Sequence, residues 1–301
     1  MKKIITLICI SLVATCLTSH GQLDPIYATY INNPLTINPA YTGSNNMLNA
    51  MLQYRKQWAG LESSPATFNF NSHMSLIRNK LGLGIQVVQD KIGETKNTSF
   101  DFLYSYKIDL DGAILSFGMQ SGFTRYTTDP SMLTIRDPGD NAFASYTEMK
   151  FNTGVGVMLK SDKYILGLSV PRLIPATVNM GAGDVELYSR TYYLFGSYVF
   201  FISEDIRFKP AVLMRAAANI PVSYDLNASM TFKERYTGGI FTRNFSTGGV
   251  LVQAIAGNFR FGYTFEMPFS PSSSLNYVSH ELMVGMGISV LGYHDRTPKT
   301  Y

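Results

Sequence analysis

In several long segments the side chains alternate between apolar and polar with a period of two, and this period constrains the fold more than any other feature of the chain. In "TSFDFLYSYKIDL", Phe100, Phe102, Tyr104, Tyr106, Ile108 and Leu110 hold one set of positions. Ser99, Asp101, Leu103, Ser105, Lys107 and Asp109 hold the other. "VSYDLNASMTFK", from Val222 to Lys233, and "FRFGYTFEM", from Phe259 to Met267, repeat the pattern. A strand sends alternate side chains to opposite faces, so each segment has one greasy face and one small or charged face. In a soluble sandwich the greasy face points into the core. In a membrane barrel it meets lipid, and the polar face lines the lumen.

Length and number separate the two. About fourteen strand-like runs are centred near residues 51, 69, 86, 103, 119, 154, 167, 195, 211, 227, 239, 252, 262 and 285. A tilted membrane strand needs about 9–11 residues, whereas the usual globular strand has about 5–6, and most of these runs are of the longer kind. An even number suits a single-chain barrel. After every second run comes a tight turn: "SLIRNK", "DLDG", "SDK", "SED", "KE" and "AGN". The other connections are mostly longer, such as "AGLESSP", "TTDPSMLTIRDPGDNAFASY", "IPATVNMGAGDV" and "PFSPSSSLNY". Short turns at one rim and long loops at the other are the outer-membrane arrangement, with both termini on the periplasmic side. Because lipid offers no partner for a free N–H or C=O, the last run, "ELMVGMGISVLGY", must pair with the first, "NMLNAMLQYRKQW". The expected fold is all-β: a transmembrane antiparallel barrel of about fourteen strands, preceded by a short non-strand segment.

Composition agrees. Aromatic residues make up 13% and charged residues only 15%, against about 25% charged in soluble domains. The opening "MKKIITLICISLVATCLTSHGQ" has a basic start, a short apolar core and small residues after it, which read as a signal peptide cleaved before Gln22. Lipidation at Cys16 is the weaker reading, since Thr15 is a poor neighbour for it. Both cysteines, Cys9 and Cys16, fall in that leader, so disulfides are not expected to staple the mature chain. Removing Lys2 and Lys3 lowers the net charge from +4 to +2, too balanced for a nucleic-acid binder. The expected organisation is signal peptide 1–21, N-terminal periplasmic segment 22–45, barrel 46–293 and tail 294–301.

Catalytic chemistry is hard to place. The histidines after the leader are His73, His280 and His294. Ser72 adjoins His73, but strand neighbours point to opposite faces. "DPGDN" could bring Asp137, Asp140 and Asn141 to a calcium ion, yet it reads as a turn without one. We therefore expect no catalytic residues, no metal and no cofactor. Arg55, Asp101, Lys107, Lys150, Lys160, Arg207, Lys209, Arg215, Asp225 and Arg260 fall on polar faces, where they line a pore or pair across a filled interior. Eight-stranded barrels are filled by side chains, and a fourteen-stranded lumen is wider. Something else must fill it, or it conducts.

"DPIYATYINNPLTINPAYTGS", "YRKQWAGLESSPAT" and "HMSL…NKLGLGIQVVQDKIGET" resemble the start of the PorP/SprF family, outer-membrane barrels linked to the type IX secretion system of Bacteroidota. The resemblance continues through "FNTGVGVMLKSDKYILGLSVPRL" and "FRFGYTFEM", and "NPAYTGS" and "RKQWAG" are its most specific blocks. It implies a non-enzymatic role in secretion or gliding, in outer-membrane lipid. The implied partner is a secreted adhesin carrying a type B C-terminal sorting domain, or a periplasmic peptidoglycan-binding or other component of the apparatus. The alternative is a porin or solute transporter.

"INPAYTGS", residues 37–44, carries more conformational instruction than a linker needs. Asn-Pro disfavours helix at Asn33 and Asn38. Residues 23–44 are expected to form an ordered, non-strand element at the periplasmic mouth. For partner contact the sequence points to Asn38, Pro39 and Tyr41 in that block, to Trp58, and to Asp137 and Asp140 in the loop 127–146; the loop 174–185 is a further candidate, because loops on a rigid scaffold commonly carry function.

Overall fold

The computed structural model describes residues 27–129, 145–179, 184–218, 220–269 and 277–294. The first half of its wall runs through β1 (Leu48–Lys56), β2 (Ala66–Leu76), β3 (Leu81–Ile92), β4 (Thr95–Leu110), β5 (Ala113–Thr128), β6 (Tyr146–Lys160) and β7 (Tyr164–Val170). A small hairpin, β8 (Ala176–Asn179) with β9 (Asp184–Tyr188), forms a separate sheet. The wall resumes with β10 (Thr191–Tyr198), which the two-residue β11 (Phe200–Phe201) continues past Val199. It ends with β12 (Ile206–Ala217), β13 (Ile220–Phe232), β14 (Tyr236–Arg243), β15 (Thr247–Ala256), β16 (Phe259–Pro268) and β17 (Ser279–Ile288).

Each wall strand pairs antiparallel with its neighbours in chain order. β1 pairs with β17 from Leu48↔Ile288 to Lys56↔His280, which closes the sheet. With β10 and β11 taken as one, the barrel has fourteen strands, and all fourteen centres expected from the period of two fall within them. The faces sort as the period requires. On β4, Phe100, Phe102, Tyr104, Tyr106 and Ile108 are exposed on the outside, while Asp101, Leu103, Ser105 and Lys107 are buried on the inside.

One rim carries tight connections at residues 77–80, 111–112, 161–163, 202–205, 233–235 and 257–258. At the other rim the connections at 57–65, 129–145, 171–190 and 269–278 are long. Those at 93–94, 218–219 and 244–246 are short, so the long loops cluster around β1–β2, β5–β7 and β16–β17. The tight-turn rim is the periplasmic one. There residues 293 and 294 lie against the end of β2 and the turn after it. The Nε2 of His294 donates to the Ser75 carbonyl at 2.8 Å, and Asn79 Nδ2 donates to the Tyr293 carbonyl at 3.2 Å.

The apolar core lies inside the barrel. Three short 3-10 turns, Ala28–Ile31, Pro34–Thr36 and Pro39–Tyr41, precede β1. They are ordered and non-strand, as expected of this segment. The expected position at the periplasmic mouth needs correction: they lie buried within the lumen, with Leu35 at 1% and Ala40 at 0% exposure. The physical reason is room. Fourteen strands enclose more space than their own side chains fill, and this segment supplies the missing volume.

Candidate functional site

The plug is built from Asn-Pro punctuation. Asn33-Pro34 and Asn38-Pro39 each start a 3-10 turn with Pro at its first position, where the missing N–H costs nothing and the fixed φ suits the turn. The Asn38 side chain does two jobs. Its Oδ1 accepts from Ala40 N at 2.9 Å, capping the turn. Its Nδ2 donates to the Val157 carbonyl at 3.1 Å and the Leu168 carbonyl at 3.4 Å, joining the turn to β6 and β7. Ser169 Oγ donates to the Ile37 carbonyl at 2.5 Å. Gly118 is where backbone meets backbone. A Cβ there would stand 2.1 Å from Ala40 N, so only glycine lets the plug seat against β5.

At the periplasmic foot, Lys107 Nζ donates to the Gly43 carbonyl at 2.6 Å and to Asn46 Oδ1 at 3.2 Å. Lys160 Nζ donates to the Ser44 carbonyl at 3.1 Å and lies 5.7 Å from the Tyr41 ring centre. Ser105 Oγ donates to the Thr42 carbonyl at 2.6 Å, and Gly43 N donates to His73 Nδ1 at 2.9 Å. His73, weighed in the sequence as a catalytic candidate, is thus a fixed acceptor for plug backbone.

The other end of the plug reaches the long-loop ends of β1 and β17. Glu281 accepts from Ala28 N at 2.8 Å, from Thr29 N at 3.3 Å and from the Thr29 hydroxyl. Gln53 Nε2 donates to Thr29 Oγ1 at 2.6 Å, and Asn33 Nδ2 donates to Gln53 Oε1 at 2.9 Å. Arg55 bridges Glu281 at 3.3 Å and Glu266 at 3.1 Å. Arg243 bridges Asp225 at 2.9 Å and Glu266 at 3.6 Å. Two guanidinium groups and three carboxylates therefore meet at the plug tip, where ion pairing offsets part of the cost of burying them. Between tip and middle, Tyr30, Ile31 and Leu35 join Phe195, Leu213, Phe241 and Leu251 in one buried apolar cluster, with Tyr30 edge-on to Phe195 at 5.9 Å.

The segment thus runs from the periplasmic rim to the carboxylate cluster near the opposite rim. Of the lumen charges read from the sequence, Arg55 pairs with Glu266 and Glu281, Asp225 pairs with Arg243, and Lys107 and Lys160 hold the plug. Glu266, Glu281, Gln53 and Arg243 were not singled out by the sequence reading. The available signal was a pair of carboxylates, Glu266 and Glu281, on the polar faces of the last two strands.

Asn38, Pro39 and Tyr41, expected to touch a partner, are buried and touch the barrel's own wall. That expectation is corrected to an internal role. Trp58 sits at the long-loop rim, 38% exposed, with a left-handed φ of 49° and its backbone N–H donating to Ser279 Oγ at 3.3 Å. Asp137 and Asp140 lie outside the described residues.

The family model for the type IX secretion system membrane protein PorP/SprF matches residues 19–286. The chain belongs to the PorP/SprF family. It is an outer-membrane barrel of the type IX secretion system, and the family is one of secretion-system membrane proteins, not enzymes. No curated relative matches the chain. Among solved structures it is similar to the Acinetobacter baumannii outer membrane protein Omp33, at 8% identity and a TM-score of 0.50, over 82% of this chain and 100% of that one. It also aligns with the Pseudomonas putida toluene transporter TodX, at 8% identity and a TM-score of 0.47, over 85% of this chain and 92% of that one. At 8% identity the likeness to Omp33 shows the barrel fold alone.

Proposed function

We propose that this PorP/SprF barrel is a docking platform at the outer membrane, anchoring a secreted partner with a type B sorting domain at the cell surface, and not a porin. The observation that carries this reading is the plug: the lumen is occupied by the chain's own backbone, tied to the wall at foot, middle and tip. A diffusion pore keeps that space wet and open. With the lumen taken, the surfaces left for function are the rims, and the long loops around β5–β7 and near Trp58 offer the larger one. Affinity purification from outer membranes in mild detergent tests this. The reading expects a large secreted protein with a type B sorting domain to co-elute in stoichiometric amount. Recovery of the barrel with no such protein, from cells that secrete one, contradicts it.

A further inference from the structure

The wall is not of even height. β4, β5 and β6 have 16, 16 and 15 residues, whereas β7 has 7, fewer than the roughly 9–11 that a tilted spanning strand needs. β6 pairs with β5 along its whole length, from Ile114↔Lys160 to Thr128↔Tyr146. On its other side it pairs with β7 only from Lys160↔Ile165 to Val155↔Val170. Beyond Val170 the chain leaves the wall and turns inward. Pro171 packs on Gly154, where a Cβ would stand 2.2 Å from the Pro171 carbonyl oxygen, and that oxygen accepts from Gln120 and Asn152. Leu173 N donates to the Thr153 carbonyl at 2.8 Å. Arg172 and Tyr188 then fold over the β3–β5 side, with Arg172 bonded to Thr124 and Tyr188 to Asn97. The hairpin of β8 and β9 follows this inward path and does not extend the wall.

The upper edge of β6 is therefore left without a strand beside it among the described residues. The Leu173–Thr153 bond shows which side Thr153 faces. In an antiparallel strand alternate residues share a side, so the N–H and C=O groups of Thr147, Met149 and Phe151 point the same way. Their side chains point outward, with Met149 63% and Phe151 49% exposed. Phe151 stands level with Phe123 and Phe100 in the apolar band, and Met149 stands opposite Arg125 at its upper border. An unpaired edge is a template for another strand. At the lipid border it is also costly, because acyl chains cannot satisfy its backbone.

We propose that the edge of β6 left unpaired among the described residues, from Thr147 to Phe151, is the docking site for an extended strand of the partner protein, added laterally to the barrel wall. This rests on the docking reading above and gives it a location. The occupant is a strand because only an extended backbone offers donors and acceptors at the matching repeat. Its side chains alternate: apolar where they lie beside Met149 and Phe151, polar where they lie beside Glu148, Lys150 and Asn152.

The test uses the full barrel in detergent with a purified type B sorting domain as probe. A photo-crosslinking residue is placed in turn at Thr147, Met149 and Phe151, and at Leu282 on the fully paired β17 as control. The proposal expects cross-links from the three β6 positions to one segment of the probe, advancing in two-residue steps, and none from Leu282. Met149→Pro removes an N–H from the free edge and spares the β5 ladder; retention of the probe should fall about tenfold, the weight of one net hydrogen bond and its register. Should that variant fail to assemble, Met149→Lys reads the same edge, since an edge lysine blocks strand addition. Cross-links to this chain itself, to lipid alone or to scattered probe sites overturn the proposal, as does full retention by either variant. A probe that binds with unchanged affinity and cross-links elsewhere sinks only the location. A probe that never binds the unaltered barrel sinks the docking reading and this proposal together.

Discussion

The foot and the tip of the plug are held by different chemistries. At the foot, lysine side chains and small hydroxyls donate to plug carbonyls: Lys107 to Gly43, Lys160 to Ser44 and Ser105 to Thr42. Lys107 also reaches Asn46 Oδ1, and Lys160 also reaches Asn45 Oδ1. At the tip the direction reverses. Plug N–H groups donate to one wall carboxylate, Glu281, which is itself held by Arg55 within a chain of charges reaching Glu266, Arg243 and Asp225. Loss of a foot lysine removes hydrogen bonds to plug oxygens. Loss of a tip contact strands buried charge. The foot fixes where the segment enters, and the tip decides whether it stays seated across the whole lumen.

Gly118→Val should have the largest effect, because the new side chain must occupy the space of Ala40 backbone. The plug should leave its seat altogether, and a cysteine placed at Leu35, 1% exposed in the native barrel, should become open to a water-soluble maleimide. Continued protection of that cysteine would show that the middle contact does not hold the plug. Next comes Glu281→Ala. It orphans two plug N–H groups and half of the Arg55 pairing, a loss of about 3–5 kcal/mol for a buried pair broken on one side. Thermal unfolding in detergent reads it, and the tip should label before the foot. Lys107→Met should cost less, about 1.5–3 kcal/mol for a charge-assisted bond, and should expose the foot alone. An equal cost at both ends would erase the distinction drawn here. Tyr30→Phe should be the mildest, within about 0.5 kcal/mol, because the Tyr30 hydroxyl is buried and has no hydrogen-bond partner among the described residues.

The barrel was legible in the sequence because lipid imposes a strict two-residue alternation, and all fourteen strand centres follow from it. Tight turns at one rim were legible for the same reason. The plug was harder. Its turns at Asn33-Pro34 and Asn38-Pro39 were signalled by residue type, but Tyr30, Ile31, Leu35 and Tyr41 follow no period. Nothing local tells a segment outside the membrane from one threaded through it. The clue lay elsewhere in the chain, in glycines such as Gly118 on the lumen face, whose reason is the plug backbone and not the curvature of the strand. The tip network was missed because Glu281 and Glu266 lie on different strands from Arg55 and Arg243. Only closure of β17 onto β1 brings Arg55 opposite Glu281.

The most direct measurement is conductance in a planar bilayer, comparing the whole barrel with a variant lacking residues 27–44. A lumen filled by its own chain predicts a silent native protein and steady, large channels once the segment is removed. Steady channels from the unaltered protein would contradict the account, and with it the case against a porin.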